Sequence, residues 1–179
     1  MDKTQLTGSF GSVELLGDAT GFVDHILSSI DHINLLEDFA REDIECLARY
    51  MRACRAGLGV ELIREGEPGD FMLMILEGTV EIVKVAPRGL PQRLAVAGPG
   101  KTLGEMSLID GEPRFASCLT LEPTIFAVLD RDALVQVISD EPRIGVKILM
   151  ELLMLLNQRL RAVSGDLMKC LENQRLRIR

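Results

Sequence analysis

The chain is poor in the residue types that build metal and redox centres. It has two histidines, His25 and His32, which stand seven apart and share a helix face. Without a third ligand they read as ordinary helix residues. Cys46, Cys54, Cys118 and Cys170 form neither a C-x-x-C pair nor a His/Cys cluster. That spacing excludes a zinc or dithiol motif and predicts reduced, mostly buried thiols in a cytoplasmic protein. No apolar run approaches the ~20 residues of a membrane helix. Nor does the N-terminus, with Lys3 followed by Thr4, Gln5 and Gly8, carry the apolar core of a secretory signal. A serine elbow, a P-loop and an H-E-x-x-H pair are all missing. Glu105 and Glu112 form a conceivable carboxylate pair, but nothing supplies a second catalytic group. The expectation is a protein that is not an enzyme and holds no cofactor and no metal.

Positive charge is scarce too, and unevenly spread. Residues 143 to 179 hold eight basic and three acidic side chains, a net of +5; the whole chain carries −7, which leaves −12 on residues 1 to 142. So acidic a body repels nucleic acid, whose binding rests on phosphate neutralisation. The basic tail is the one segment suited to a polyanion. Its Arg175, Arg177 and Arg179 also complement the negative end of a helix dipole.

A chain of 179 residues with 47% apolar residues can bury a sizeable core. Residues 1 to 20 lack a period and read as a loose N-terminal segment. Phe22, Val23, Ile26, Leu27, Ile30 and Ile33 recur at helical spacing over about Gly21 to Leu35. Asp38 reads as the cap of a second helix whose inner face holds Ile44, Leu47 and Ala48. From Gly59 to Val128 short Val/Ile/Leu/Thr runs alternate with Gly, Pro and Asp at intervals of about ten residues. These runs are Val60 to Arg64, Phe71 to Leu76, Thr79 to Val85, Arg93 to Ala97, Ala116 to Leu121 and Ile125 to Leu129, the pattern of a small barrel or jelly roll. Ala86 to Pro91 is a hairpin loop. Asp130 caps a short helix through Ile138, and Ser139-Asp140-Glu141-Pro142 opens a long one.

Residues 104 to 117, Gly-Glu-Met-Ser-Leu-Ile-Asp-Gly-Glu-Pro-Arg-Phe-Ala-Ser, carry the chemistry. One loop offers helix N-terminal amides, a carboxylate and a guanidinium, a set suited to a small ligand with one phosphate and a ribose hydroxyl. A bland alternative has Glu105 and Arg114 simply pairing with each other at the surface. The segment resembles the phosphate-binding cassette of cyclic nucleotide-binding domains, the family of the catabolite activator protein and the regulatory subunits of cyclic AMP-dependent kinase. Gly66-Glu67-Pro68-Gly69-Asp70 resembles the family's early glycine turn, Ile75 to Ile82 its hairpin with a corner glycine, and Asp38 to Leu47 the helix before the barrel. About 140 residues, from Leu35 onward, are covered.

The resemblance implies a mainly β fold with helices: a cyclic nucleotide-binding β-roll, or double-stranded jelly-roll barrel, flanked by N-terminal helices and a long C-terminal helix. Residues 21 to 142 would form the binding domain and residues 143 to 179 a dimerising helix. It also implies that Glu105 meets the ribose 2′-hydroxyl and Arg114 the cyclic phosphate. Gly104 would let the backbone approach, the amides of Ser107 and Ala116 would donate to phosphate, and Met106, Phe115 and Ser117 would complete the site. Met74, Val83, Leu94 and Leu103 would wall the base. In the family, Ser, Thr or Ala commonly follows the arginine. Phe115 has no hydroxyl with which to hold phosphate or recognise guanine, so cyclic AMP is the expected ligand ahead of cyclic GMP. Its ring would point away, cover the base or plug the pocket.

In the last helix Val146, Leu149, Leu153, Leu156, Leu160, Val163, Leu167, Cys170 and Gln174 recur at alternating intervals of three and four. That repeat marks a coiled-coil seam; the other reading is a helix lying along its own barrel, with Gly165 a weak point. Leu149 to Leu156 would face barrel and partner, and Leu160 to Cys170 the partner alone. DNA-binding members carry a helix-turn-helix domain after this helix. The expectation is therefore a stand-alone bacterial-type homodimer without direct DNA or membrane binding, sensing a cyclic nucleotide and signalling to a separate partner protein. Its rival is a dimeric interaction module of the same fold that binds no ligand.

Overall fold

The computed structural model describes residues 13–28, 36, 39–86 and 89–177. The order of elements is β1 (Val13–Asp18), a 3₁₀ turn (Ala19–Phe22), α1 (Val23–Ser28), α2 (Arg41–Ala48), β2 (Arg52–Ala56), β3 (Glu61–Ile63), β4 (Phe71–Glu77), β5 (Val80–Val85) and β6 (Pro91–Ala97). There follow β7 (Thr102–Leu103), α3 (Glu105–Asp110), β8 (Ser117–Thr120), β9 (Thr124–Asp130), α4 (Arg131–Asp140) and α5 (Pro142–Arg177). The strands pair antiparallel in two sheets, ordered β1-β2-β9-β4-β7 and β3-β8-β5-β6.

The apolar run of β4 is explained by burial on both faces. Met72, Met74 and Leu76 join the core beneath the helices. Leu73 and Ile75 join a second core between the sheets, with Leu62, Val80, Leu103 and Phe126. α4 begins as read: Asp130 accepts from the Ala133 N–H at 2.8 Å, and its other carboxylate oxygen takes Arg52 at 2.6 Å.

The N-terminal third departs from the sequence reading. Residues 13 to 18 are not loose; they form β1, an edge strand on β2. β2 itself, Arg-Ala-Cys-Arg-Ala, has no β-branched residue to announce it and is held by pairing on both sides. α1 is described over Val23–Ser28, and Ile30, Ile33 and Asp38 lie outside the described residues. α2 starts at Arg41 behind Ala40, whose N–H donates to the Asp43 carboxylate at 3.2 Å. A carboxylate three residues into the helix thus takes the N–H of the residue that precedes it.

α5 has 36 residues, about 54 Å of helix, and runs unbroken through Gly165. Its two apolar sets point different ways. Ile144, Ile148 and Leu152 are buried in the core with α2 and α4, and Leu155 packs against them. Lys147 donates to the buried Asp43 and lies over the Phe39 ring. Gly145 allows α5 to touch α4, since a Cβ there would stand 2.7 Å from the Ile138 Cα. Val146, Leu149, Leu153, Leu160, Val163 and Leu167, all on the seam read from sequence, are exposed. No helix among the described residues is long and apolar enough to cross a membrane.

Candidate functional site

A cavity of about 500 Å³ lies between β5, β6 and β7, the cassette around α3, and α5. Gly104, Glu105, Met106, Ser107, Arg114, Phe115 and Ala116 line it. Ser117 does not: its hydroxyl accepts from the Glu65 N–H at 3.0 Å. Leu94 and Leu103 are in the wall, but Met74 and Val83 are not. Met74 points into the helical core, and Ile82 faces the cavity in place of its strand neighbour Val83.

Glu105 and Arg114 are not a surface pair. Glu105 is 1% exposed and Arg114 4%, and each has its own partners. Glu105 accepts from the Thr102 hydroxyl and from Arg159 of α5, whose two terminal nitrogens reach its oxygens at 3.1 and 2.9 Å. Arg159 also donates to the Thr102 carbonyl at 3.0 Å. Sequence reading missed Arg159, because no local spacing tells which residue of a long helix will meet the cassette. Leu152 and Leu155 pack on the body as the leucine-rich segment suggested, but the cavity itself is reached by Arg159, Ala162 and Val163, one to two turns beyond Leu156.

Arg114 is positioned from several sides. Its N–H donates to the Glu67 carbonyl and its carbonyl accepts from the Gly66 N–H, both at 2.9 Å. The guanidinium lies over the Phe71 ring at 4.2 Å, and Nη1 donates to the carbonyls of Phe71 at 2.7 Å and Gly104 at 3.1 Å. Nη2 is buried with no hydrogen-bond partner, and no carboxylate among the described residues forms an ion pair with Arg114. Burial lowers the Arg114 pKa from its ordinary value, with the nearby Asp70 charge the first of those opposing it. The group stays charged. The early glycine turn has a physical role here, because a Cβ on Gly69 would lie 1.9 Å from the Arg114 Nε.

Gly104 caps α3 with φ +87°, the left-handed region that favours glycine. The first bond of the α3 ladder runs from the Leu108 N–H to the Gly104 carbonyl at 3.2 Å. The amides of Glu105, Met106 and Ser107 therefore precede the ladder. Phe115 sits at the rim, 55% exposed, and neither plugs the cavity nor turns from it. Lys84 holds it there, 4.0 Å from the ring centroid, while donating to the Phe115 carbonyl and to Glu65. At the floor, burial pushes the Cys118 thiol up to about 12, so it remains neutral. Cys54 is likewise buried, Cys46 half-buried and Cys170 exposed.

Comparison with known proteins identifies the family and the fold. The profile of the family described as "Cyclic nucleotide-binding domain" matches residues 57–141. The crystal structure of a cyclic nucleotide-binding domain from Methylobacillus flagellatus is 41% identical with a TM-score of 0.79, over 87% of this chain and 88% of that one. The catabolite activator protein of Thermus thermophilus is 28% identical with a TM-score of 0.69, over 75% and 61% of the two chains. A CRP-like cAMP-activated global transcriptional regulator of Mycobacterium tuberculosis is 35% identical over 69% of this chain and 54% of its own length. The chain thus spans about half the length of that curated relative. It belongs to the cyclic nucleotide-binding domain family, and its mainly antiparallel β-roll is the fold of these structures.

The Gly69 contact yields the first prediction. Gly69→Ala is expected to displace the Arg114 guanidinium from its seat and to weaken binding of a cyclic nucleotide at least about tenfold by calorimetry, with circular dichroism unchanged. Undiminished affinity would show that the seat is irrelevant to the ligand.

Proposed function

We propose that this protein is a cyclic AMP sensor that works as a homodimer on a separate partner protein. The observation that carries the reading is the Arg114 Nη2, a charged donor buried in the cavity wall without an acceptor. A buried donor left unpaired is costly, and a phosphate oxygen supplies the missing acceptor together with the missing charge. The amides of residues 105–107 and of Ala116 add donors for the same phosphate. Glu105 accepts from the ribose 2′-hydroxyl; each of its oxygens has more than one lone pair, so Thr102 and Arg159 do not exhaust it. The base then lies toward Leu94, Val96, Ala162 and Val163, with Phe115 over its edge. Without a hydroxyl beside Arg114, guanine gains nothing over adenine. The cAMP-activated relative supports the same choice.

Signalling follows from the shared carboxylate. Glu105 holds Arg159 and would also hold the ribose, so ligand and α5 are thermodynamically linked. The exposed stripe from Leu149 to Leu167 suits a second copy of the same helix, which would bury apolar side chains now facing water.

Calorimetric titration with cyclic AMP and cyclic GMP tests the ligand. We expect binding with cyclic AMP tighter, and Arg114→Ala to weaken it by at least about 2 kcal/mol, roughly 30-fold. Equal affinity in wild type and variant, or no heat with either nucleotide, would overturn the reading in favour of an interaction module.

For the dimer, glutamate at both Leu160 and Leu167 should give monomers by light scattering, because each pair of copies would then bury unpaired charges at the seam. A double variant that stays dimeric would place the interface elsewhere.

A further inference from the structure

β6 is an edge strand. It pairs with β5, and no other strand among the described residues takes its second side. Which of its backbone groups are left over follows from the ladder. On the β8 side of β5, the Thr79 carbonyl accepts from the Leu121 N–H at 2.8 Å. Successive residues of a strand turn their N–H and C=O to alternate sides. Val80 and Ile82 therefore turn theirs to β6, where they meet Ala97 and Ala95. Val96, between those two, turns its own N–H and C=O outward, to the free side.

The cavity reaches that side. Ile82 and Ala95 stand opposite each other and share one face of the sheet, whereas the Val96 side chain points to the other. All three line the cavity. A wall drawn from both faces of an edge strand runs around the edge itself. The rest of this end is apolar, with Leu94, Ala97, Ala162 and Val163, while Arg159 is engaged by Glu105 and the Thr102 carbonyl. The polar groups on offer to a base here are those of the β6 backbone.

We propose that the free edge of β6 at Val96 reads the base of the nucleotide. The proposal rests on the cyclic AMP reading and deepens it. Adenine N1 accepts from the Val96 N–H, and the 6-amino group donates to an outward carbonyl of the same edge. The pair selects adenine by chemistry. Hypoxanthine and guanine carry an N–H at position 1 and an oxygen at position 6, so donor would face donor and acceptor would face acceptor. A site that hydrogen-bonds its ligand rejects an analogue that leaves those groups unpaired.

Calorimetric titration of the full chain with cyclic AMP and cyclic IMP, whose hypoxanthine has no 2-amino group, tests this. Wild type should bind cyclic AMP at least about tenfold more tightly than cyclic IMP. Val96→Pro deletes the outward N–H without removing a ladder bond, the place where an edge strand accepts proline. In that variant cyclic AMP should weaken about tenfold, and the ratio between the two nucleotides should shrink to within about threefold. Val96→Ala trims the side chain, keeps the N–H and should keep the wild-type ratio. If the proline variant does not fold, purine riboside 3′,5′-cyclic monophosphate carries the test on wild type. It keeps N1 and lacks the 6-amino group, so it should bind about fivefold more weakly than cyclic AMP; equal binding would overturn the proposal. Equal affinities of wild type for cyclic AMP and cyclic IMP, or an undiminished ratio in Val96→Pro, would overturn it as well and leave the cyclic nucleotide reading standing. No heat with any of these nucleotides would overturn both together.

Discussion

Arg114 carries a full positive charge at 4% exposure, and among the described residues no carboxylate pairs with it. Burying an unpaired cation costs several kcal/mol even after relaxation. The surrounding fold is built to tolerate that cost. Gly69 leaves the space, the Phe71 ring offers its face, and two backbone carbonyls take one nitrogen. None of these neutralises the charge, and the second terminal nitrogen is left with nothing. An anion of one phosphate's size satisfies both deficits at once. The neighbouring Glu105 faces the opposite problem and solves it within the chain, through Arg159. The two charged groups are buried side by side, yet only the carboxylate is answered from within.

That asymmetry gives α5 its place in the account. Its first turns are part of the core, fastened by Ile144, Ile148, Leu152 and the Lys147–Asp43 pair. Two turns beyond Leu152, Arg159 reaches the cavity, and after it the helix faces water with an apolar stripe. One helix thus serves as core element, cavity wall and candidate interface. A change at Glu105 has a direct mechanical route to the exposed stripe.

How legible all this was in the sequence depended on whether the signal was local. The barrel strands from β3 to β9 were mostly visible because apolar alternation and glycine turns are local features. β1 and β2 were not, since they exist by pairing with each other and with β9 rather than by propensity. In the same way the cassette was legible as residues 104 to 117, whereas the partners of Glu105 were not. Thr102 is close in sequence but reads as loop, and Arg159 is 54 residues away. The heptad separated core from surface better than a single helical stripe would have done. It left out Leu152 and Leu155, which pack on the body, and selected residues that are mostly exposed. Met74 and Val83 were misplaced because β4 is apolar on both faces and a one-residue step reverses the face of β5.

The central claim is that the cavity is organised around a phosphate. Calorimetric titration of the same protein with cyclic AMP and with adenosine tests it most directly, since the two ligands share base and ribose. The account predicts that adenosine binds at least about 100-fold more weakly, the loss of a charge-assisted contact in a buried site. Comparable affinities for the two ligands would mean that the Arg114 guanidinium holds no phosphate, and would contradict the account.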